Sequence, residues 1–258
     1  EAFLTRERQG RHGTQPGSRS ASTTVTERAA LRRYFSWARR EELRDDNPTD
    51  DVGAPRRQPY RDVRALTAEE ASRLLGAIAT EHLAGLRLLT LTTWFLVTGR
   101  RHAEVLWLRW GDIDLDGRTY TYEGKGGKSE RRELAPELAA ATERWAARSL
   151  ADRRPEKLVF PGRWPVAPIS PQLIRDQLQL VAQTAGLGEL RRPIHTLRHT
   201  NARLRREVGA SVEDVQSALD HASLATTAVY LRKLEGAVDP YGAKVATLLA
   251  TRPTAASL

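Results

Sequence analysis

The sequence of 258 residues contains neither cysteine nor methionine. Without cysteine the chain can form no disulfide, no thiol nucleophile and no thiolate zinc site, which is typical of proteins in a reducing compartment. It also lacks a signal-peptide pattern and any run of about 18 apolar residues, so a cytoplasmic protein with no membrane partner is expected. Because residue 1 is glutamate, we expect some N-terminal sequence to be missing.

Lysine is scarce, although the chain carries a formal net charge of +9. This charge predicts a polyanionic partner, most simply nucleic acid, although a soluble basic surface would give the same balance. A retained lysine is of interest because lysine can release its proton, whereas arginine effectively cannot. Arginine supplies 36 of the 41 basic residues, and the five lysines are Lys125, Lys128, Lys157, Lys233 and Lys244.

The N-terminal part of the chain predicts one helix and a linker. Apolar residues recur with helical spacing over residues 24–43, and Asn47-Pro48 is expected to stop this helix. We therefore predict a partial, N-terminally truncated helical domain over residues 1–47 and a proline-rich linker over 48–66. The linker is either an ordinary tether or a basic segment that wraps a DNA duplex, through Arg56, Arg57 and Arg61.

The second domain is predicted over residues 67–250, followed by a disordered tail over 251–258. It begins with a capping box formed by Thr67 and Glu70, and a nearly all-apolar helix over residues 82–97 is expected to form its core. The fold class is therefore mainly α with a small three-stranded antiparallel β-sheet. The predicted strands are Asp112–Asp114, Thr119–Glu123 and Glu130–Leu134.

An arginine at a helix start is the first candidate site residue. Gly99 is expected to end the core helix in the left-handed conformation, and residues 100–104 are expected to open a helix that continues through VLWLRW. Arg101 at this N-terminus opposes the helix dipole. Either a bound anion or a local ion pair with Glu104 explains its position.

Two basic side chains are predicted to share one helical face farther along the chain. His195 and Arg198 are three residues apart, so on a helix they reach the same small anionic target. The guanidinium suits a phosphate, and the imidazole can exchange a proton near neutral pH. A helix ending at Asp220 and His221 follows, and Tyr230 lies about one turn into the next helix. Spacing alone leaves open whether this tyrosine is a buried aromatic residue or a nucleophile.

These motifs resemble the active site of the tyrosine recombinase, or phage integrase, family of site-specific recombinases, of the Xer type. The segments that carry the resemblance are TGRRHAE with LRWGDID, GKGGKSER, HTLRH and LDHASLATTAVY. The resemblance implies a recombinase catalytic-domain fold after a core-binding helical domain. It also implies six catalytic residues, with Glu104 in a supporting position. From their places in the sequence, His199 is a second candidate supporting residue, and the candidate DNA contacts are Lys128, Arg131, Arg191 and Arg192. The six catalytic positions are Arg101, Lys125, His195, Arg198, His221 and Tyr230.

Two positions depart from the family pattern. Ala103 replaces a serine, and Asp220 replaces the glycine usually found before the histidine of the third motif. Because aspartate tolerates the left-handed conformation, only mild strain is expected at residue 220. The other tyrosines are interpreted as packing or DNA-backbone residues, namely Tyr34, Tyr60, Tyr120, Tyr122 and Tyr241.

The implied activity is cleavage and rejoining of double-stranded DNA through a 3′-phosphotyrosyl intermediate, without metal, ATP or another cofactor. The implied assembly is a homotetramer on two duplexes, with the free protein a monomer. A type IB topoisomerase, a telomere resolvase and a catalytically degenerate DNA-binding module are the alternatives. A zinc site at His195, His199 and His221 is disfavoured because the chain lacks cysteine and the glutamate of HExxH.

Overall fold

The computed structural model describes residues 21–53, 64–124, 127, 129–149, 152–164 and 166–220. The chain divides into two compact units, Glu1–Asp62 and Val63–Leu258. Within the described ranges, no helix has both the length and the apolar character needed to cross a membrane.

The first unit contains helix α1, Ala21–Arg40. Its last turn is closed by a Schellman motif, in which Glu42 takes a left-handed φ of 55° and the N–H of Leu43 donates to the carbonyl of Ala38 at 2.9 Å. The predicted end at residue 43 was therefore wrong, because the chain reverses before Pro48 is reached. Asn47 instead closes a local turn by accepting hydrogen bonds from the backbone and hydroxyl of Thr49, at 3.0 and 2.7 Å.

The second unit is built around one buried helix, α3, which packs against α2, α5, α6 and α7. Its helices and strands in chain order are α2 (Ala68–Gly76), α3 (Leu83–Thr98), α4 (His102–Leu106), β1 (Ile113–Asp114), β2 (Thr119–Glu123), β3 (Ser129–Glu133), α5 (Pro136–Arg148), α6 (Pro171–Thr184), α7 (Pro193–Glu207) and α8 (Val212–Leu219).

Helix α3 forms the core, as its composition predicts. Its four threonine hydroxyls do not disturb the apolar environment, because each donates to the carbonyl four residues earlier in the same helix. Trp94 is fully buried, donates its indole N–H to the hydroxyl of Thr142 at 3.0 Å, and packs edge-on against Tyr120 with ring centroids 5.1 Å apart.

The predicted capping box at the start of α2 is also present, since Thr67 and Glu70 exchange hydrogen bonds of 3.0 and 3.1 Å.

The three predicted strands form an antiparallel sheet in the order β1-β2-β3. Tyr120 and Tyr122 alternate with more exposed residues along β2, so both rings lie on the buried face. Tyr120 is paired in register with Arg132 of β3. This face of the sheet is turned towards α3, with Tyr120 against Trp94.

Helix α4 is shorter than predicted, because it ends at Leu106 instead of continuing through VLWLRW. The following residues pair with a distant segment: Arg109 forms an antiparallel bridge with Leu158, and the N–H of Val159 donates to the carbonyl of Leu108 at 2.9 Å. The N–H groups of Trp107 and Leu108 still donate to the carbonyls of Ala103 and Val105, at 3.1 and 3.3 Å, so the last turn closes before the chain becomes extended at Arg109.

Helices α3, α7 and α8 meet at Gly99, the left-handed cap of α3, which has a φ of 64°. A Cβ at this position would lie 2.5 Å from both Oδ1 of Asn201 and Cδ2 of Leu219, so the close approach requires glycine. The amide of Asn201 donates to two terminal carbonyls of α3, those of Leu96 at 2.7 Å and Val97 at 2.9 Å. These bonds satisfy carbonyls that the end of the helix leaves without partners and fix α7 against it.

Candidate active site

The first candidate arginine lies where α4 begins. Arg101 is the N-cap residue, and its backbone N–H donates to Oε2 of Glu104 at 2.8 Å. Its guanidinium donates to Oε1 of Glu104 at 2.6 Å and to the backbone carbonyl of Asp220 at 3.1 Å. Glu104 is nearly buried, whereas 38% of the Arg101 side chain is exposed. The predicted ion pair therefore forms, and it leaves one side of the guanidinium open to a ligand.

The second candidate arginine extends from α7 towards the same place. Arg198 donates from Nη1 to the carbonyl of Gly99 at 2.5 Å and from Nη2 to the carbonyl of Leu219 at 2.6 Å. Burial and the nearby positive charge of Arg101 lower the pKa of Arg198 to about 10, so it remains charged at neutral pH. Two adjacent carbonyls at the end of α8, those of residues 219 and 220, thus hold guanidiniums from two different helices.

His195 lies one turn before Arg198 on α7, as the spacing predicts. Its ring faces that of His102, the first residue of α4, with 6.5 Å between centroids. Partial desolvation lowers the pKa of His195, and the charges of His102, Arg192, Arg198 and Arg175 lower it further. The imidazole is therefore neutral, and able to accept a proton, at pH 7.

We expect the DNA-free protein to show this shift directly. In an NMR titration, the imidazole of His195 should reach half-protonation below pH 6.5, its unshifted value, because its surroundings disfavour the charged form. The exposed Arg192 contributes to this effect, so Arg192→Gln should move the midpoint upward. His195→Gln identifies the resonance. A midpoint at or above 6.5 would contradict the electrostatic description of the site.

Several predicted site residues lie outside the described ranges. They include three of the six catalytic candidates and four candidate DNA contacts: Lys125, His221, Tyr230, Arg56, Arg57, Arg61 and Lys128. Four others are described. Arg191 and Arg192 are exposed just before α7, whereas His199 is only partly exposed within it. Arg131 is exposed on β3 and donates to the hydroxyl of Thr119 at 2.9 and 3.0 Å.

Sequence reasoning missed a cluster beside the two arginines. Asp220 takes the left-handed conformation expected of it, with a φ of 48°. Its carboxylate accepts a hydrogen bond from Tyr122 at 2.6 Å and forms ion pairs with Arg100 and with Arg132, the latter at 3.5 Å. Tyr122 is thus more than a packing residue. The sequence did contain one signal for this cluster, because Asp220 replaces the glycine that is usual in the family pattern. A carboxylate that becomes partly buried requires hydrogen-bond or charged partners.

The described part of the site suits an anion. Arg101 and Arg198 converge on the end of α8, and the charges of Arg198 and Arg192 reach His195. The arginines act as hydrogen-bond donors with a fixed positive charge. Among the described residues, no group of three or more histidine, aspartate or glutamate side chains is arranged to hold a metal ion. Such an arrangement can bind a phosphate and stabilise negative charge that develops on it.

Comparison with known proteins identifies the family. XerC, a tyrosine recombinase of Xanthomonas campestris pv. campestris, is 32% identical over 202 residues, covering 78% of this chain and 61% of XerC. XerD, a tyrosine recombinase of Neisseria meningitidis serogroup A, is also 32% identical, over 210 residues that cover 78% of this chain and 69% of XerD. The chain therefore spans about three fifths of the length of the XerC that it matches.

A solved structure has the same fold. The XerH site-specific recombinase, bound to a palindromic difH substrate in a post-cleavage complex, matches with a TM-score of 0.67 at 22% identity, covering 90% of this chain and 67% of XerH. The predicted fold class is confirmed. The sequence also matches the model of the phage integrase family over residues 64–236, which is well over half of the chain. The chain therefore belongs to the phage integrase family.

Proposed function

We propose that this chain is a site-specific DNA recombinase that cuts and rejoins double-stranded DNA through a tyrosine–phosphate link. The observation that carries the proposal is the convergence of Arg101 and Arg198 on the carbonyls of residues 220 and 219. Arg198 lies one turn after His195 on the same helix, and His221 directly follows Asp220 in the chain. The tyrosine recombinase names of XerC and XerD support the same assignment.

Cleavage is a transfer of the phosphoryl group to Tyr230. Its phenolic oxygen forms a bond to phosphorus, the bond from phosphorus to the 5′-oxygen breaks, and the product is a 3′-phosphotyrosyl link. His195 accepts the phenol proton, and Lys125 donates a proton to the leaving 5′-oxygen. Arg101 and Arg198 stabilise the negative charge on the non-bridging oxygens, with His221 as a further hydrogen-bond donor.

Rejoining is the same reaction in reverse with a different strand. A 5′-hydroxyl of a second duplex attacks the phosphotyrosyl phosphorus, the phenol leaves, and each proton returns along its path. The bond energy is conserved in the covalent link, so strand exchange needs no ATP. We propose a homotetramer on two duplexes as the active assembly and a cytoplasmic location for the reaction.

Covalent capture on nicked DNA tests this function. The full chain is incubated with end-labelled duplexes that have a randomised core and one nick, so that cleavage releases a short fragment and cannot reverse. We expect a labelled protein–DNA complex that survives denaturing electrophoresis, and sequencing of the captured DNA then defines the substrate. Strand exchange between two intact duplexes of the captured sequence indicates a recombinase, whereas relaxation of supercoiled DNA without exchange indicates a topoisomerase. Failure to capture any duplex would contradict the proposal.

Removal of metal ions should leave capture unchanged. Two guanidiniums supply the positive charge that Mg²⁺ provides in other nucleases, so the rate in excess EDTA is expected to equal the rate in Mg²⁺. The measurement is the single-turnover rate of covalent complex formation on the selected duplex. A rate that collapses in EDTA and returns with added Mg²⁺ would show that a metal ion takes part.

A further inference from the structure

Asp220 is the residue that caps the end of α8, and its side chain makes more contacts than a helix cap requires. Its side chain is 21% exposed, and three groups approach the carboxylate: the hydroxyl of Tyr122, Arg132 and Arg100. Burial alone would raise the pKa of Asp220, but the hydrogen bond from Tyr122 and the positive charges of Arg100 and Arg132 lower it below its usual value. The carboxylate is therefore charged and held from three sides.

Arg100 depends on this carboxylate. Only 3% of Arg100 is exposed, and Asp220 is its one acidic partner in the described part of the chain. The guanidinium also donates to the carbonyl of Ala218 in the last turn of α8, and it stacks on the ring of Tyr122 at 4.2 Å from the centroid. Through these contacts Arg100 joins the start of the α4 segment, the β-sheet and the end of α8.

The same turn of α8 holds both candidate catalytic arginines. The carbonyl of Asp220 accepts from Arg101, and the carbonyl of Leu219 accepts from Arg198. A shift of this turn therefore moves one acceptor of each guanidinium relative to the other, which is Glu104 for Arg101 and the carbonyl of Gly99 for Arg198. The carboxylate of Asp220 belongs to this same turn and connects it to Arg100, Tyr122 and Arg132.

We propose that Asp220 is a positioning residue whose carboxylate, held by Arg100, Tyr122 and Arg132, fixes the two carbonyls that orient Arg101 and Arg198. The inference rests on the proposed function, because the orientation of these arginines matters to catalysis only if they bind the reacting phosphate. A glycine at position 220 adopts the left-handed conformation at least as easily, but it has no carboxylate for these contacts. A simple cap and a positioning residue therefore predict opposite results for Asp220→Gly.

The test separates folding from positioning with four variants: Asp220→Asn, Asp220→Gly, Arg100→Leu and the double variant Asp220→Gly with Arg100→Leu. Single-turnover capture at saturating nicked duplex, the dissociation constant for that duplex and the melting temperature are measured for each. Asp214→Asn is the matched control, because Asp214 caps the other end of α8 through Ser211, at 2.7 and 2.9 Å.

We expect Asp220→Asn and Asp220→Gly to slow capture by about 10²-fold with the dissociation constant unchanged, as a displacement of about 1 Å would do. Each single variant also lowers the melting temperature, because one partner of a buried ion pair is lost. The double variant should regain the melting temperature but not the capture rate. Recovery of both together, or wild-type capture by Asp220→Gly, would reduce Asp220 to a structural cap and overturn the proposal.

A second measurement does not depend on cleavage. In the DNA-free protein, NMR of the arginine side chains reports hydrogen exchange at the Nη groups of Arg198, and Asp220→Asn should accelerate it whereas Asp214→Asn should not. If the wild-type chain captures no DNA, the proposed function fails, yet accelerated exchange still supports the positioning of the guanidinium. Exchange that is unchanged in Asp220→Asn overturns the positioning claim whatever the outcome of the cleavage assay.

Discussion

Replacing Tyr230 with phenylalanine is expected to abolish covalent capture of DNA while DNA binding stays unchanged. The substitution removes one oxygen atom, the one that would bond to phosphorus, and keeps the ring and its packing surface. With no nucleophile, the 3′-phosphotyrosyl link cannot form, and the covalent band should fall to background at every incubation time. Capture on the selected nicked duplex and binding by mobility shift are measured with the same preparation.

Tyr34→Phe provides the matched control, because Tyr34 is an exposed tyrosine in the other unit of the chain. It should capture DNA at the wild-type rate. Capture that persists in Tyr230→Phe would show that another group is the nucleophile. Loss of both binding and capture in Tyr230→Phe would mean that Tyr230 serves the fold. If the chain is only a DNA-binding module, neither Tyr230→Phe nor Tyr34→Phe gives a covalent band.

The second large effect is expected at Arg198. Arg198→Ala should slow single-turnover capture by about 10²- to 10³-fold, the usual loss when one pre-oriented donor to the developing negative charge is removed. Arg198→Lys should be nearly as slow, although it keeps the charge. A single ammonium group cannot reproduce the planar fork that spans the carbonyls of Gly99 and Leu219.

Arg203→Lys tests whether any arginine of α7 has this effect. Arg203 pairs with Glu207 at 2.8 Å on the exposed side of the same helix, where an ion pair contributes little to stability, so capture should be unchanged. Melting temperatures of all the variants separate a loss of fold from a loss of catalysis. Wild-type capture by either Arg198 variant would remove Arg198 from the reaction.

The sequence predicts those parts of the fold that depend on local interactions. The apolar composition of α3, the capping box at Thr67, the left-handed Gly99 and the three strands all follow from spacing and turn chemistry within a few residues. For the same reason His195 and Arg198 could be placed on one face of a helix. The approach of Arg101 to Arg198 follows instead from the family resemblance, because residues 97 positions apart have no local signal that joins them.

The missed features depend on distant partners. The end of α4 is set by pairing between Arg109 and Leu158, which no local pattern near residue 109 reveals. The Asp220 cluster joins residues 98 and 120 positions apart in the chain, so the sequence shows only an unusual aspartate. The early end of α1 has a different cause. Glutamate at position 42 takes a left-handed conformation that is normally adopted by glycine, so no residue type marks the turn.

Gly99, at which α3, α7 and α8 meet, affects how accurately the guanidinium of Arg198 is positioned. The main chain at residue 99 touches Asn201 and Leu219 directly, and its carbonyl accepts from Arg198. Because residue 99 has no side chain of its own, no rotamer of that residue can change the distance at which the side chains of Asn201 and Leu219 pack against the end of α3. The carbonyl of the same residue accepts from Arg198, so the main chain at the end of α3 itself sets the position of this guanidinium.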